Sequence, residues 1–184
     1  MPSPTILSRL LAVLALMAAC AASPADAGGL IQELRLGILD QDTPDLWSGF
    51  RAEPDSATVN VELILAPAVP FAGGLIRPAV GASINTAGGT SDVYLDARYQ
   101  VDLTSSIFLG LGVGAALHDG QLTLEDWDRK ALGSRVLFHI PIEIGLRLDE
   151  HDSLSAYFEH MSNADTVDPN EGLDRIGVRY GYRF

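Results

Sequence analysis

Cysteine occurs once in the 184 residues, at Cys20. It sits inside an N-terminal stretch that reads as a removable leader, so the mature chain would carry no thiol. Disulfides, thiol catalysis and cysteine metal sites are thereby excluded. Basic residues are scarce as well: Lys+Arg total 12 against 24 Asp+Glu, a formal net charge of −12. The leader contains one of each sign, Arg9 and Asp26, so its removal leaves that balance unchanged. A surface this acidic repels polyanions, which argues against a nucleic-acid partner. Beyond the leader there is no apolar run near the roughly 20 residues a membrane-spanning helix requires. If the chain crosses a bilayer, it does so with strands.

The leader is defined by Arg9, an apolar run from Leu10 to Cys20, and Ala25-Asp26-Ala27. A positive start, an apolar middle and a small-residue cleavage site are the parts of a secretory signal peptide. The expected cut follows Ala27, giving a signal peptide over 1–27 and one domain over 28–184. A lipoprotein signal ending at Cys20 is the competing reading; Met17, three positions before the cysteine, fits it poorly.

What the rest of the chain has is alternation with a period of two, the mark of strands. Val59, Val61, Leu63 and Leu65 share a face opposite Asn60 and Glu62. Val93, Leu95, Ala97, Tyr99 and Val101 oppose Tyr94, Asp96, Arg98 and Gln100. Ile107 to Leu117 in odd steps oppose Phe108 and three glycines, and Val136 to Leu146 in even steps oppose His139 and Glu143. The segments from Leu30 and from Gly74 alternate less cleanly. With the two C-terminal strands, the count is about eight. Long polar links at 41–57, 85–91, 118–131 and 163–173 alternate with shorter ones near 66–73, 102–104 and 148–152. An even strand count with long loops on one side and short turns on the other is the pattern of small outer-membrane barrels.

The expected fold is therefore all-β, an eight-stranded antiparallel transmembrane β-barrel. A soluble barrel would also alternate, but would keep its apolar face inside. Here the aliphatic face opposes one bearing Asp96, Arg98, Glu143 and Arg147, charges that a lumen can hydrate or pair and hydrocarbon cannot. The last strand puts Ile176, Val178, Tyr180, Tyr182 and Phe184 on one side and ends on an aromatic, which resembles the C-terminal insertion signal of outer-membrane proteins. The segment Gly110–Ala115 matches a loose dinucleotide-binding pattern, but it lies within an alternating strand with no helix after it. Its glycines are read as small lumen-facing positions.

Extending the alternation locates candidate chemistry. Leu154, Ala156 and Phe158 lead by parity to His160 and Ser162, and Val178 and Ile176 lead back to Asp174. All three then face lipid at the adjoining ends of neighbouring strands. Same-face residues two apart are about 7 Å from each other along a strand, and cross-strand partners about 5 Å. Such spacing brings a histidine between a serine and an acid, the arrangement of an activated serine. Polar groups on that surface are costly away from the interface, which favours a functional reading.

The segment from His160 to Asp174 resembles the corresponding stretch of the outer-membrane lipid A 3-O-deacylases, the PagL family. Their pattern is approximately H-x-S-N-A, then N-x-G, then an acid two residues after the glycine. The resemblance implies an eight-stranded barrel and a serine esterase that removes the 3-position 3-hydroxyacyl chain of lipid A without a cofactor. On this chain it implies Ser162 as nucleophile, His160 as base and Asp174 as triad acid. Asn163 is implied at the oxyanion site, with Ala164, Asn170 and Gly172 in the supporting loop. The family's best-known members carry glutamate where this chain has Asp174. The implied partners are lipopolysaccharide and the outer membrane, and a homodimer stays open.

Each feature has a plainer explanation. Serine, asparagine and glycine in these stretches are ordinary turn chemistry, and Asp174 could simply cap a loop. His118, His139 and His151 are read as interfacial polar residues. The alternatives to an enzyme are a non-catalytic barrel, with Trp47 and Trp127 in outer loops as anchors or ligand contacts, and a soluble lipid-binding barrel.

Overall fold

The structure, a computed structural model, describes residues 29–184; the expected signal peptide lies outside them. Its strands are β1 (Ile31–Asp40), β2 (Ala57–Leu65), β3 (Val69–Phe71), β4 (Gly74–Asn85), β5 (Asp92–Asp102), β6 (Ile107–His118), β7 (Val136–Arg147), β8 (Asp152–Ser162) and β9 (Leu173–Arg183). Hairpins link β4 through β9 in order, β9 pairs with β1, β1 with β2, and β2 with β4. Eight antiparallel strands thus close on themselves, and closure removes every sheet edge. The short β3 stands outside this circuit as an arm folded back on the start of β4. Pro141 lies inside β7, and the β6–β7 pairing is interrupted between Leu111↔Ile142 and Gly114↔His139, because proline has no N–H to give the ladder.

The alternation becomes two environments. Outward positions include Leu95, Val113 and Val178, which are 62%, 57% and 59% exposed. Around the wall they join Ile38, Val93, Leu117, Ile144 and Leu154 in an apolar belt. A belt of that extent far exceeds the patches soluble proteins expose and matches the hydrocarbon-facing surface of a membrane barrel. Tyr180, Tyr182 and Phe184 sit where this belt meets the short turns, the aromatic girdle position.

The interior is charged. Near the short-turn end, Glu143 accepts from Arg35, from Arg98 at 3.1 Å and from Arg179 at 2.9 Å, while Glu62 lies 3.1 Å from Arg179. Higher up, Arg175 bridges Asp92 and Glu159, each at 2.6 Å. His139 stands between Asp96 at 2.9 Å and Glu159 at 3.3 Å. The interfacial reading of His139 is therefore corrected: it is fully buried in the lumen, on the face of β7 opposite the aliphatic one. His118 is buried beneath the loop after β6 and bonds the Ser134 carbonyl at 2.6 Å, whereas His151 stays exposed at a turn. Buried charges persist only when paired and hydrogen-bonded, and these are. Glycine makes the room: a Cβ on Gly112 would lie 2.9 Å from Arg98 Cδ, and one on Gly145 would lie 2.1 Å from the Phe108 ring.

Candidate active site

β8 and β9 deliver the three predicted side chains. On β8, Leu154 and Ala156 are exposed, Tyr157 and Glu159 point inward, and the outward set continues through His160 and Ser162. His160 is the registered partner of Asp174 across the β8–β9 ladder. On its other side β8 pairs with β7, placing Ile140 opposite His160 and Phe138 opposite Ser162.

The side chains meet in a line. Asp174 Oδ1 lies 2.6 Å from His160 Nδ1, and His160 Nε2 lies 2.9 Å from Ser162 Oγ. With Asp174 ionised, the imidazole donates its Nδ1–H to the carboxylate, and the free Nε2 accepts the serine hydroxyl. That tautomer can take the serine proton as Oγ attacks an electrophile, while the carboxylate stabilises the resulting imidazolium. Asp174 is fully buried and His160 is 4% exposed, so the dyad is shielded while Ser162 stays half-exposed.

The shield is the loop joining β1 to β2, residues 41–56. Its Trp47 stacks on His160, with ring centroids 4.4 Å apart and planes 12° from parallel. The next residue, Ser48, donates its backbone N–H to Asp174 Oδ2 at 2.6 Å, and the Thr43 N–H reaches the Asp174 carbonyl at 2.8 Å. Reading the sequence found Trp47 only as an anchor or ligand contact; a loop has no periodicity from which this stack could be inferred. Trp127 does remain 88% exposed.

The loop itself is held from the far side of the barrel mouth. Lys130, the sole lysine of the chain, is fully buried. Its ammonium donates to the Phe50 carbonyl at 2.6 Å and lies 3.5 Å from Asp42 Oδ1. Asp42 accepts in turn from the Ala52 and Glu53 backbone amides at 2.7 and 3.0 Å. Burial raises the Asp42 carboxyl above its ordinary range, against the opposing pull of those amides and of Lys130.

The remaining predicted residues organise the loop between β8 and β9. The Asn163 side-chain amide donates to the Leu132, Val167 and Pro169 carbonyls at 3.0, 2.8 and 2.9 Å. Three carbonyls require donors, which settles the orientation of the amide and leaves it no hydrogen free for an oxyanion. In this structure the side chain expected at the oxyanion site staples the loop. The Asn163 N–H is also taken, by Asn170 Oδ1 at 2.9 Å. Ala164 and Asp165 follow in the left-handed region at φ 53° and 58°. Gly172, at φ 64°, passes so close to the base that a Cβ there would lie 3.2 Å from His160 Cε1.

These residues border an open groove of about 510 Å³. Trp47, Ala164 and Asn170 line its loop end, and Val113, Phe138 and Ile140 its wall on β6 and β7. Groove and belt are continuous, since Val113 and Phe138 belong to the exposed aliphatic face. Among the described residues no cluster of histidine, cysteine and carboxylates is suited to a metal.

Comparison with known proteins bears on this arrangement. One solved structure, described as the crystal structure of the outer membrane enzyme PagL, superposes with a TM-score of 0.59 at 19% identity, covering 82% of this chain and 99% of its own. Two structures of the Yersinia pestis outer membrane protein Ail also match. One, in a phospholipid bilayer nanodisc, has a TM-score of 0.45 at 12% identity and covers 83% of this chain and 99% of its own. The other, in complex with the heparin analogue sucrose octasulfate, has a TM-score of 0.44 at 11% identity and covers 83% and 97%. No curated protein matches the sequence. The family model described as lipid A 3-O-deacylase (PagL) matches residues 78–183, a span containing most of β4, the whole of β5 to β9 and all three members of the serine–histidine–aspartate line. The chain is an outer-membrane β-barrel, and it belongs to the PagL family.

Proposed function

We propose that the protein is a serine esterase that removes the 3-position 3-hydroxyacyl chain of lipid A in the outer leaflet. The observation that carries this reading is the hydrogen-bonded line Asp174–His160–Ser162, at 2.6 and 2.9 Å, on the lipid-facing side of the wall. Family membership supplies the substrate class. Ser162 Oγ attacks the ester carbonyl carbon and its proton passes to His160 Nε2. The tetrahedral intermediate collapses by breaking the bond to the sugar 3-oxygen, which leaves with the proton from His160. Water, deprotonated by the same imidazole, then cleaves the acyl-enzyme and releases a 3-hydroxy fatty acid. With the Asn163 side-chain amide committed to its loop, a main-chain N–H near Ser162 is the oxyanion donor of this reading. In other hydrolases such a donor contributes about 2.7–4 kcal/mol. Asn170 sets this turn by bonding the Asn163 N–H, and Gly172 leaves the base its space.

The test is mass spectrometry of lipid A from a host without such an activity. Expression of the protein is expected to remove one 3-hydroxyacyl chain, and Ser162→Ala, folded to the same level in the membrane, is expected to leave lipid A intact. Unchanged lipid A with the wild-type protein overturns the reading.

A further inference from the structure

Two hydrogen bonds along one line do not fully fix an imidazole. Asp174 holds Nδ1 and Ser162 meets Nε2, but the ring can still tilt about the axis through those atoms. Tilt moves the lone pair of Nε2 away from the hydroxyl, and misplacements of about 1 Å reduce rates up to about a hundredfold in other enzymes. The Trp47 indole, 4.4 Å away and 12° from parallel, closes one face of the ring. Gly172 bounds the Cε1 edge. The Ser48 N–H fixes Asp174 Oδ2 at 2.6 Å, leaving Oδ1 for the imidazole.

We propose that Trp47 is a positioning residue, and that the loop over 41–56 completes the serine–histidine–aspartate line instead of merely covering it. Trp47 sets the plane of the base and Ser48 sets the rotation of the acid. A flat, electron-rich ring is suited to the first task because it also attracts the imidazolium formed when the serine proton is transferred. An interfacial anchor would need only an aromatic in the headgroup region; this one lies nearly parallel to the histidine, lines the groove and remains 58% exposed. The catalytic half of the proposal rests on the esterase reading above, whereas the stack on His160 does not.

The charged and polar groups around the imidazole are few. Asp174 on β9 and Ser162 on β8 bond it directly. Asp165 and Glu171 border the same groove, with Glu171 engaged by the Ala131 N–H at 2.6 Å. β7 contributes only Phe138 and Ile140. Asp174 is thus the acid in hydrogen-bond contact.

Trp47 and Trp127 are the two tryptophans of the chain, so Trp127→Phe leaves Trp47 as the sole indole. Held flat against the imidazole, that indole should give a near-ultraviolet circular dichroism band in detergent micelles, which a side chain free to rotate would not. The band should be largely lost when His160→Asn is added. No band, or a band unchanged by His160→Asn, overturns the proposal whether or not any ester is hydrolysed. The kinetic arm compares ring with bulk. Trp47→Phe should keep kcat within about threefold, while Trp47→Leu should lose about tenfold or more in kcat with KM nearly unchanged. Full kcat in Trp47→Leu overturns the positioning role. If the wild type hydrolyses no ester, the esterase reading fails and the dichroism band alone decides the stack.

Discussion

The Lys130 ammonium lies 3.6 Å from the centroid of the Phe50 ring while donating to the Phe50 carbonyl at 2.6 Å. One buried cation thereby joins the loop after β6 to the loop that shields His160. Breaking a buried pair from one side leaves the other charge stranded, at roughly 3–5 kcal/mol. Lys130→Met would strand Asp42. The barrel wall shares none of these contacts, so the loss should stay local. Faster proteolysis within 41–56 is expected, together with esterase activity reduced at least about tenfold and unaltered heat-modifiable migration of the barrel on gels.

Asp174 is the position where this chain departs from the glutamate of better-known family members. Asp174→Asn keeps the shape but favours the wrong tautomer of His160, a change that lowers kcat about ten-thousand-fold in a serine protease. A comparable loss is expected here. Asp174→Glu adds a methylene at a fully buried site already held by the Ser48 N–H, so it should lower the rate, though far less than asparagine does. Equal activity of Asp174→Asn and wild type in an ester-release assay would remove the acid from the mechanism.

Gly172→Ala combines two penalties. The left-handed φ of 64° disfavours a side chain by about 1–2 kcal/mol, and the new Cβ would press on His160 Cε1 from 3.2 Å. Reduced kcat with intact membrane insertion is the expected result, measured by ester release alongside heat-modifiable migration.

Asp42 gives the shielding loop a pH dependence whose sign follows from its burial. Burial holds its carboxyl above the ordinary range, so the loop disfavours the ionised form. Its contribution to loop stability is complete below the usual aspartate pKa of about 4 and is lost as pH rises through the folded value. Protection of 41–56 from an acid-tolerant protease should therefore weaken across that rise. Asp42→Asn, which can still accept from Ala52 and Glu53, should flatten the dependence.

The barrel was legible because a wall between hydrocarbon and a charged lumen imposes one rule on every strand. Val93 and Leu95 against Asp96 and Arg98 announce it, and the same parity carried His160, Ser162 and Asp174 to the outer side. The two stretches that alternate less cleanly have local reasons: the β1–β2 register shifts between Ile31 and Glu33, and the first residues of β4 also carry the arm Val69–Phe71. What the sequence concealed lies in the loops. Trp47 over His160, Asn163 stapling Leu132 and Lys130 under Phe50 join residues distant in the chain, through segments without a period. Their residue types are those of any polar turn, so nothing local distinguishes a staple from a solvated side chain.

On the proposed esterase reading, a nucleophile mounted on the outer wall of a cylinder is met sideways. A lipid that reaches Ser162 along Phe138 and Val113 travels within its own leaflet, in two dimensions, without first being lifted into water. Encounter then depends on how crowded that leaflet is and on how its neighbours pack around the wall, and a released acyl chain begins its departure among the same neighbours.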